Sequence, residues 1–212
     1  MSVDAVIFDY GKELSLDQDA GDWAEMKRNS GLDEATFHDL YWKHRDAYDA
    51  GQMSGGSYWE TIAREAGVAF GTEQVEELIE TDARSWSHTN ELALRWTREL
   101  SASGLKTGIL SNMHKDLRDY LEERFDWVRS FDYRVFSCDV GMVKPQAPIY
   151  RLVVDGLGVA PERTVFLDDR LPNIEAAAEA GLLGIVVHNV ADAMREASAR
   201  YGLPVESLAG AA

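Results

Sequence analysis

Four segments of this 212-residue chain place polar or charged side chains directly after an apolar run. These side chains are Asp9 after AVIF, Ser111 and Asn112 after TGIL, Lys144 in the loop after RVFSCDV, and Asp168 and Asp169 after TVFL. A carboxylate nucleophile, a hydroxyl donor, an ammonium and an acidic pair form a coherent set for phosphoryl transfer through a covalent aspartyl phosphate. The set predicts that chemistry only if the four segments meet in space.

Each type of side chain suits one part of that reaction. Asp9 is ionised at neutral pH and needs no base to become a nucleophile, and the acyl phosphate that it forms is labile enough to hydrolyse. The pair Asp168 and Asp169 offers hard oxygen ligands for Mg²⁺, an ion that neutralises phosphate and lets two anions approach. Lys144 is expected to stabilise charge on the transferring group and to offset its repulsion with Asp9.

Each residue alone also has an ordinary structural explanation. Asp9 is of a type that favours turns, and Ser111 and Asn112 are of types that cap helices. Lys144 would be a solvated loop lysine, and the acidic pair would cap the next helix. Four separate segments would have to acquire compatible groups by chance, so the ordered set favours the chemical interpretation.

The apolar runs alternate with amphipathic helical patterns from residue 90 onward. Strands are predicted at about 3–9, 105–111, 133–137, 164–168 and 184–188, and helices at 90–103, 115–124, about 147–157, 172–180 and about 191–201. This alternation is typical of an α/β protein with a mostly parallel sheet that is covered by helices on both faces. Parallel strands bring their carboxyl ends to one edge, where such sheets bind ligands, so the four segments are expected to converge there.

Residues 15–88 carry almost only helical patterns and no strand pattern. One face of the second helix in this segment is predicted to comprise Phe37, Leu40, Tyr41, His44 and Tyr48. Thr72 is predicted to cap a later helix. We therefore expect a catalytic core made of residues 1–14 and 89–212, with an inserted helical subdomain made of residues 15–88.

The composition argues against several classes of partner. A formal net charge of −16 repels nucleic acid and anionic membranes, so neither is expected as a partner. No apolar stretch approaches the roughly 20 residues needed to cross a bilayer, and no basic segment precedes apolar residues at the N-terminus. Cys138 is the only cysteine, and its apolar context predicts a buried structural thiol in a reducing compartment. A soluble cytoplasmic protein is expected.

The four segments resemble the four motifs of the haloacid dehalogenase-like (HAD) hydrolase superfamily, and the resemblance covers nearly the whole chain. VIFDYGKELS is similar to the first motif, GILSNMH to the second, GMVKPQAPIY to the third and TVFLDDRLPNIEAAAEAGLLGI to the fourth. Within the superfamily the chain resembles small cytoplasmic phosphatases that carry a helical cap after the first strand. The resemblance implies a Rossmann-like core and a cap that closes over the site and sets specificity.

The resemblance also implies roles on the phosphate side of the site. Asp9 would be the nucleophile of a phosphate monoester hydrolase. Ser111 and the backbone of Asn112 would hold the phosphate, and Lys144 would bridge nucleophile and phosphate. The implied partner is a small phosphorylated metabolite, such as a sugar phosphate.

The implied cofactor is Mg²⁺. The resemblance implies that the ion is bound by Asp9, the backbone carbonyl of Gly11 and Asp169. Asp168 would support or share this ligation. Asn173 falls where many relatives carry another acid, and it would act outside the direct ligands of the metal.

The first motif departs from the family pattern at Gly11. Most phosphatases of the family carry a second aspartate there, which protonates the leaving group and then activates the hydrolytic water. Such assistance is typically worth about 10²–10⁴-fold, so slower turnover and a preference for easy leaving groups are expected. The sequence DYGK looks most like the Asp-x-Gly group of sugar-1-phosphate phosphatases.

Glu13 and His114 are the nearest candidates to replace the missing acid. Glu13 is expected to face the hinge of the cap instead, and His114 is expected to lie in the first turn of the following helix. Among the aromatic residues of the cap, six are expected either to form its core or to line a pocket for a ring-shaped leaving group. They are Trp23, Tyr41, Trp42, Tyr48, Tyr58 and Trp59. Their number is also compatible with a dimer surface, so a monomer and a homodimer both stay open.

Two other functions stay open. A metal-free 2-haloacid dehalogenase also uses an aspartate nucleophile, but such enzymes replace the acidic pair that this chain keeps. A catalytically weak phosphate-binding or interaction protein would follow if the missing second aspartate had removed hydrolysis. A receiver domain orders its residues differently and has no room for the insertion. A dinucleotide site is excluded because GLGVAP follows a helix and lacks a third glycine.

Overall fold

The computed structural model describes residues 2–208 and contains a five-stranded sheet. Its strands are β1 (Ala5–Phe8), β2 (Lys106–Ser111), β3 (Tyr133–Phe136), β4 (Thr164–Asp168) and β5 (Leu183–Val186). They lie in the order β3-β2-β1-β4-β5, and every pairing between them is parallel. The order reverses between β1 and β4, so the carboxyl ends of these central strands flank the crevice where such sheets bind ligands. The predicted α/β class is confirmed.

Helices lie on both faces of this sheet and in the insertion. In chain order they are α1 (Ala20–Ser30), α2 (Glu34–Lys43), α3 (Arg45–Asp49), α4 (Gly55–Ala66), α5 (Thr72–Ser85), α6 (Glu91–Ala102), α7 (Lys115–Arg124), α8 (Ser137–Val140), α9 (Ala147–Leu157), α10 (Leu171–Glu179) and α11 (Val190–Tyr201). The bounds predicted for α7 and α9 are confirmed, whereas the short α8 was not predicted. Within residues 2–208, no helix is long and apolar enough to cross a membrane.

The first strand divides its side chains between two apolar layers. Val6 and Phe8 belong to the layer that also contains Trp96 of α6. Ala5 and Ile7 belong to the opposite layer, on the side of α9 and α10. Successive residues of a strand point to opposite faces, so a fully apolar strand such as AVIF is the pattern expected for a sheet covered on both sides. This double burial fixes the position of the strand end that carries Asp9.

The insertion buries a separate aromatic core. Of the six cap aromatics named from the sequence, Tyr41, Tyr48, Tyr58 and Trp59 are fully buried in that core, and Trp23 packs against it. Trp42 differs, because it is 44% exposed and faces the cleft described below. Most of the aromatic stripe is therefore cap core, and one member is available to a ligand.

Two details predicted for the insertion are wrong. The second helix was expected to run through Tyr48, but it ends at Lys43, and α3 begins only after His44. His44 has φ −108° and ψ 4°, which interrupts the regular helical backbone. Gly71, rather than Thr72, occupies the cap position of α5, and Thr72 is the first residue of that helix.

The two chain crossings between core and insertion lie side by side. Ser15 and Thr89 form an isolated antiparallel bridge. The Leu16 amide donates to the His88 carbonyl at 2.7 Å, and the Asn90 amide donates to the Leu14 carbonyl at 2.8 Å. These contacts pair the two linkers directly and fix them beside each other at the base of the insertion.

Candidate active site

The predicted site residues meet at the carboxyl ends of β1, β2 and β4. A cleft of about 370 Å³ lies there, between the sheet edge and the insertion. Its lining includes Asp9, Gly11, Ser111, Asn112, Lys144, Asp169 and Asn173. Asp168 is fully buried, in contact with Lys144 from this group. The structure thus brings together four segments that are separated by up to about 160 positions in the sequence.

Asp9 lies at the floor of the cleft. Its backbone amide continues the sheet by donating to Leu167 at 2.9 Å. Its Oδ1 accepts from the Tyr10 amide at 2.6 Å and contacts Lys144 Nζ at 2.8 Å. Burial raises the pKa of Asp9 to about 6, and the charge of Lys144 only partly offsets that rise.

Lys144 joins two carboxylates. Its buried Nζ lies 2.8 Å from Asp9 Oδ1 and 2.6 Å from Asp168 Oδ2. Burial alone would lower the pKa of Lys144, but Asp9 and Asp168 outweigh it and hold that pKa above the ordinary value of 10.5. The ammonium is therefore charged at neutral pH and is aimed at the predicted nucleophile.

Asn112 positions Lys144 through its side chain. Its Oδ1 accepts from the Lys144 amide at 2.8 Å, and its Nδ2 donates to the Lys144 carbonyl at 3.0 Å. This reciprocal pair joins the loop after β2 to the loop that carries Lys144. The sequence suggested only a backbone role for Asn112, because nothing in the spacing shows how closely the two loops approach.

Asp168 accepts four hydrogen bonds. Its Oδ1 accepts from the Arg170 amide at 2.8 Å and from Asn173 Nδ2 at 2.9 Å. Its Oδ2 accepts from Lys144 Nζ at 2.6 Å and from Asn173 Nδ2 at 3.0 Å. A carboxylate has about four lone-pair sites, so the acceptor capacity of Asp168 is filled by the protein. This arrangement favours a positioning role for Asp168 over direct metal ligation.

Asp169 has a different partner, which was missed from the sequence. Lys12 Nζ lies 3.0 Å from Asp169 Oδ2, and the Lys12 side chain is 52% exposed. The hydrogen bond with Asp169 raises the pKa of Lys12 above its ordinary value. Lys12 adopts φ +68°, in the left-handed region, and this turn directs the chain after Asp9 past the cleft. In the sequence, the position of Lys12 three residues after Asp9 was the one indication that it could lie near the site.

Gly11 has no steric need to be glycine. Its backbone has φ −67° and ψ 123°, a conformation open to any residue, and a Cβ built there would meet no atom within 4 Å. The absence of a carboxylate at this position is therefore a chemical property of the site and not a consequence of crowding.

Glu13 is buried beside the cleft. It is 1% exposed, and neither carboxylate oxygen has a hydrogen-bond partner among residues 2–208. Burial, followed by the neighbouring charge of Asp9, holds the pKa of Glu13 well above its ordinary value. It also borders a small apolar cavity next to Phe8 and Trp96. Glu13, which was expected to face the hinge of the cap, thus has a carboxylate oxygen within 4.8 Å of oxygens of Asp9 and Asp169.

His114 lies outside the cleft lining. It is fully buried just before α7, where its Nδ1 accepts from the Leu117 amide at 3.3 Å. Its ring stacks on Tyr48 of the insertion, with the ring centroids 4.1 Å apart. His114 therefore supports the contact between insertion and core, and this placement disfavours it as the missing acid.

Cys138 also lies away from the cleft lining, and it is only partly buried, where full burial was expected. Burial and the charge of Asp139 raise the pKa of its thiol to about 12. A thiol with so high a pKa is a poor nucleophile, which agrees with the structural role predicted for it.

The insertion supplies the outer wall of the cleft. Trp42 and Trp86 lie there with ring centroids 6.5 Å apart and nearly perpendicular planes. Arg45 also lines the wall, but Asp49 and Asp82 hold its guanidinium, at 3.0 and 3.2 Å. The wall therefore combines aromatic surface with a fixed ion-pair network.

A family model for the haloacid dehalogenase-like hydrolases matches residues 23–181. The chain belongs to this family. A HAD family enzyme from Bacteroides thetaiotaomicron has a similar fold, with a TM-score of 0.73, 17% identity, and coverage of 88% of this chain and 94% of that one. A structure of the same enzyme in complex with magnesium and inorganic phosphate gives a TM-score of 0.70.

Two curated relatives are similar in sequence to part of this HAD-like hydrolase. Bifunctional epoxide hydrolase 2 of Mus musculus is 39% identical over 101 residues, or 46% of this chain. The phosphorylated carbohydrates phosphatase of Thermotoga maritima is 41% identical over 88 residues, which are 39% of this chain and 41% of that protein. The match spans only 18% of the length of the mouse epoxide hydrolase.

The side chains of this HAD-like hydrolase fit a magnesium ion. Carboxylate oxygens of Asp9, Glu13 and Asp169 all lie within 4.8 Å of one another. Mg²⁺ prefers oxygen ligands, and carboxylates are its usual protein ligands. Neither oxygen of Glu13 accepts a hydrogen bond from the described residues 2–208, which leaves this carboxylate open to a cation.

Proposed function

We propose that this HAD-like hydrolase is a Mg²⁺-dependent phosphate monoester hydrolase that acts on a small phosphorylated metabolite through an aspartyl phosphate on Asp9. The observation that carries the proposal is the buried contact of 2.8 Å between Lys144 Nζ and Asp9 Oδ1 at the floor of the cleft. The magnesium and phosphate bound by the structural neighbour, and the phosphatase name of the Thermotoga maritima relative, support it.

Transfer begins with the carboxylate of Asp9. The Tyr10 amide and Lys144 both contact its Oδ1 and hold the carboxylate in place to attack phosphorus. The new Asp9–phosphorus bond forms as the bond to the leaving oxygen breaks, and that oxygen departs with the electron pair. Water then attacks the phosphorus, which releases inorganic phosphate and restores the carboxylate.

The remaining groups hold the phosphoryl oxygens. In the proposal, the Ser111 hydroxyl and the Asn112 backbone amide donate to them, and Lys144 stabilises their charge. Asp9, the Gly11 carbonyl oxygen and Asp169 would hold the magnesium ion, which would supply positive charge to neutralise the phosphate. Asn112 holds the backbone of Lys144, and Asp168 holds its Nζ.

The absence of an acid at Gly11 limits the substrate. A leaving oxygen that receives no proton from the enzyme must be a weak base, as in anomeric sugar phosphates, acyl phosphates and aryl phosphates. Trp42 and Trp86 supply the aromatic wall against which a ring-shaped leaving group can pack. A comparison of sugar 1-phosphates with sugar 6-phosphates tests this preference, and 1-phosphates are expected to turn over faster.

The function is tested with an aryl phosphate, with and without Mg²⁺. Wild type should release phosphate only with the ion, and Asp9→Asn should lower the rate by about 10³-fold or more because it removes the nucleophile. Asp155→Asn changes an exposed aspartate outside the cleft lining and should retain the wild-type rate. Equal rates for Asp9→Asn and wild type, or metal-independent halide release from a 2-haloacid, would contradict the proposal.

A further inference from the structure

We propose that Glu13 supplies the third carboxylate ligand of the magnesium ion, in the position that the sequence pattern assigns to Asp168. The inference rests on the proposed metal-dependent function, and it concerns which side chains of this chain complete the site. It is carried by the hydrogen bonding of Asp168, by the burial of Glu13 and by the placement of three carboxylates.

Asp168 has no acceptor capacity left for a metal ion. The Arg170 amide, Asn173 Nδ2 and Lys144 Nζ together make four hydrogen bonds to its two oxygens. A metal ion could bind Asp168 only by displacing one of these donors. Displacing Lys144 would remove the ammonium from Asp9 as well, because one Nζ contacts both carboxylates.

Glu13 shows the opposite pattern. It is 99% buried, yet neither of its oxygens accepts a hydrogen bond from any residue in the range 2–208. Burying a polar group without a partner is unfavourable, and a protonated Glu13 would still carry a hydroxyl without an acceptor among residues 2–208. A cation shared with neighbouring carboxylates would give Glu13 the partner that it lacks among residues 2–208.

The carboxylates are spaced for one small ion. Oxygens of Asp9, Glu13 and Asp169 lie within 4.8 Å of one another. An octahedral Mg²⁺ site has Mg–O distances of about 2.1 Å, so opposite ligands are separated by about 4.2 Å. Small side-chain adjustments would therefore bring all three oxygens to a single ion.

The balance of charges around the cleft also favours binding of a divalent cation. The four carboxylates are those of Asp9, Glu13, Asp168 and Asp169, and the two ammonium groups beside them are those of Lys12 and Lys144. With all of these groups ionised, the cluster carries two uncompensated negative charges. Mg²⁺ would neutralise them, and it would do so beside the one carboxylate, that of Glu13, that lacks a partner.

The test is calorimetric titration of Mg²⁺ into wild type, Glu13→Gln, Asp169→Asn and the surface control Asp155→Asn. Glu13→Gln keeps the size of the side chain and should weaken Mg²⁺ binding at least tenfold, as Asp169→Asn should, while the control keeps the wild-type Kd. Glu13→Leu suits the apolar neighbours Phe8 and Trp96 and should weaken binding equally if Glu13→Gln does not fold.

The outcomes separate the two levels of the proposal. If wild type binds Mg²⁺, Asp169→Asn weakens that binding and Glu13→Gln keeps the wild-type Kd, then Glu13 is not a ligand, although the metal-dependent function stands. If wild type binds no Mg²⁺, the proposed function itself fails. Unchanged Mg²⁺ affinity in Glu13→Gln combined with a higher unfolding temperature would show that Glu13 is only an unsatisfied buried acid.

Discussion

One ammonium serves two buried carboxylates at the centre of the cleft. Lys144 contacts both Asp9 and Asp168, and the Asn112 side chain fixes its backbone. Even so, burial raises the pKa of Asp9 from 3.8 to about 6, so this carboxyl group loses its proton at a higher pH than an ordinary aspartic acid. The proposed nucleophile is thus held in place by its partners, while burial disfavours its charged form.

This raised pKa predicts a pH dependence of stability. Between pH 4 and pH 6 the folded protein holds a proton on Asp9 that the unfolded chain has lost, so the free energy of unfolding falls as the pH rises. Urea unfolding with a chelator present should show wild type losing about 3 kcal/mol relative to Asp9→Asn across this window. A constant difference between the two proteins from pH 4 to pH 7 would show that the pKa of Asp9 is not raised.

Gly11 predicts a gain of function. The open space around this residue accepts a side chain, so Gly11→Asp should supply the missing acid and raise kcat/KM about 10²-fold for an alkyl phosphate. An aryl phosphate needs little protonation and should gain far less. Gly11→Asn has a similar size and no acid, so it serves as the control. Equal effects of Gly11→Asp on both substrates would sink the leaving-group explanation.

Residue types and their order sufficed to predict much of the candidate site. Asp9, Ser111, Lys144 and Asp169 were predicted because each follows an apolar run in the expected position, and the structure places them around one cleft. The ion pair of Lys12 with Asp169 could not be predicted, since it depends on the left-handed turn after Asp9. The filled hydrogen bonding of Asp168 depends in the same way on distances between loops.

The insertion docks on the core through a few specific contacts. The Tyr48 hydroxyl donates to Asp116 at 2.8 Å, and the Ser137 hydroxyl donates to the Asp49 carbonyl at 2.5 Å. Gly51, with φ +69°, lies so close to α8 that a Cβ would be 2.5 Å from the Cys138 carbonyl oxygen. These contacts hold the cap wall over the sheet edge.

Gly51→Ala should therefore disturb cap docking. Gly67 offers a matched control, because it has φ +73° and a Cβ there would meet no atom within 4 Å. Both substitutions should lower the free energy of unfolding by about 1 kcal/mol through the left-handed backbone. Only Gly51→Ala should also raise KM for an aryl phosphate, because its methyl group pushes the cap away from α8. The same KM in both variants would contradict a docking role for Gly51.

The spacing of apolar residues sufficed to predict which segments are helices and which are strands. It did not predict where those elements end or break. The strand predicted at 3–9 ends at Phe8, because its ladder with β2 and β4 covers only Ala5–Phe8. The break at His44 leaves the apolar spacing nearly intact, so the pattern favoured one continuous helix. The bridge between Ser15 and Thr89 joins positions far apart in sequence, and no local pattern reports it.

At the scale of the whole molecule, the cleft brings basic side chains together within a strongly acidic chain. The chain carries a net charge of −16, which repels an anionic substrate at long range. Lys12, Arg45, Lys144 and Arg170 nevertheless all line the cleft. The proposed substrate therefore meets these basic side chains beside the carboxylates where the sheet edge, the loops and the insertion come together.

The central claim is that Asp9 becomes phosphorylated during turnover. Rapid quenching of an excess of enzyme with an aryl phosphate and Mg²⁺, followed by mass analysis of the peptides, measures this directly. Without an acid or base at Gly11 the intermediate should hydrolyse slowly and accumulate, so the peptide containing Asp9 should gain one phosphoryl group that Asp9→Asn lacks. Phosphate release with no phosphorylated peptide, or a phosphoryl group on another residue, would contradict the claim.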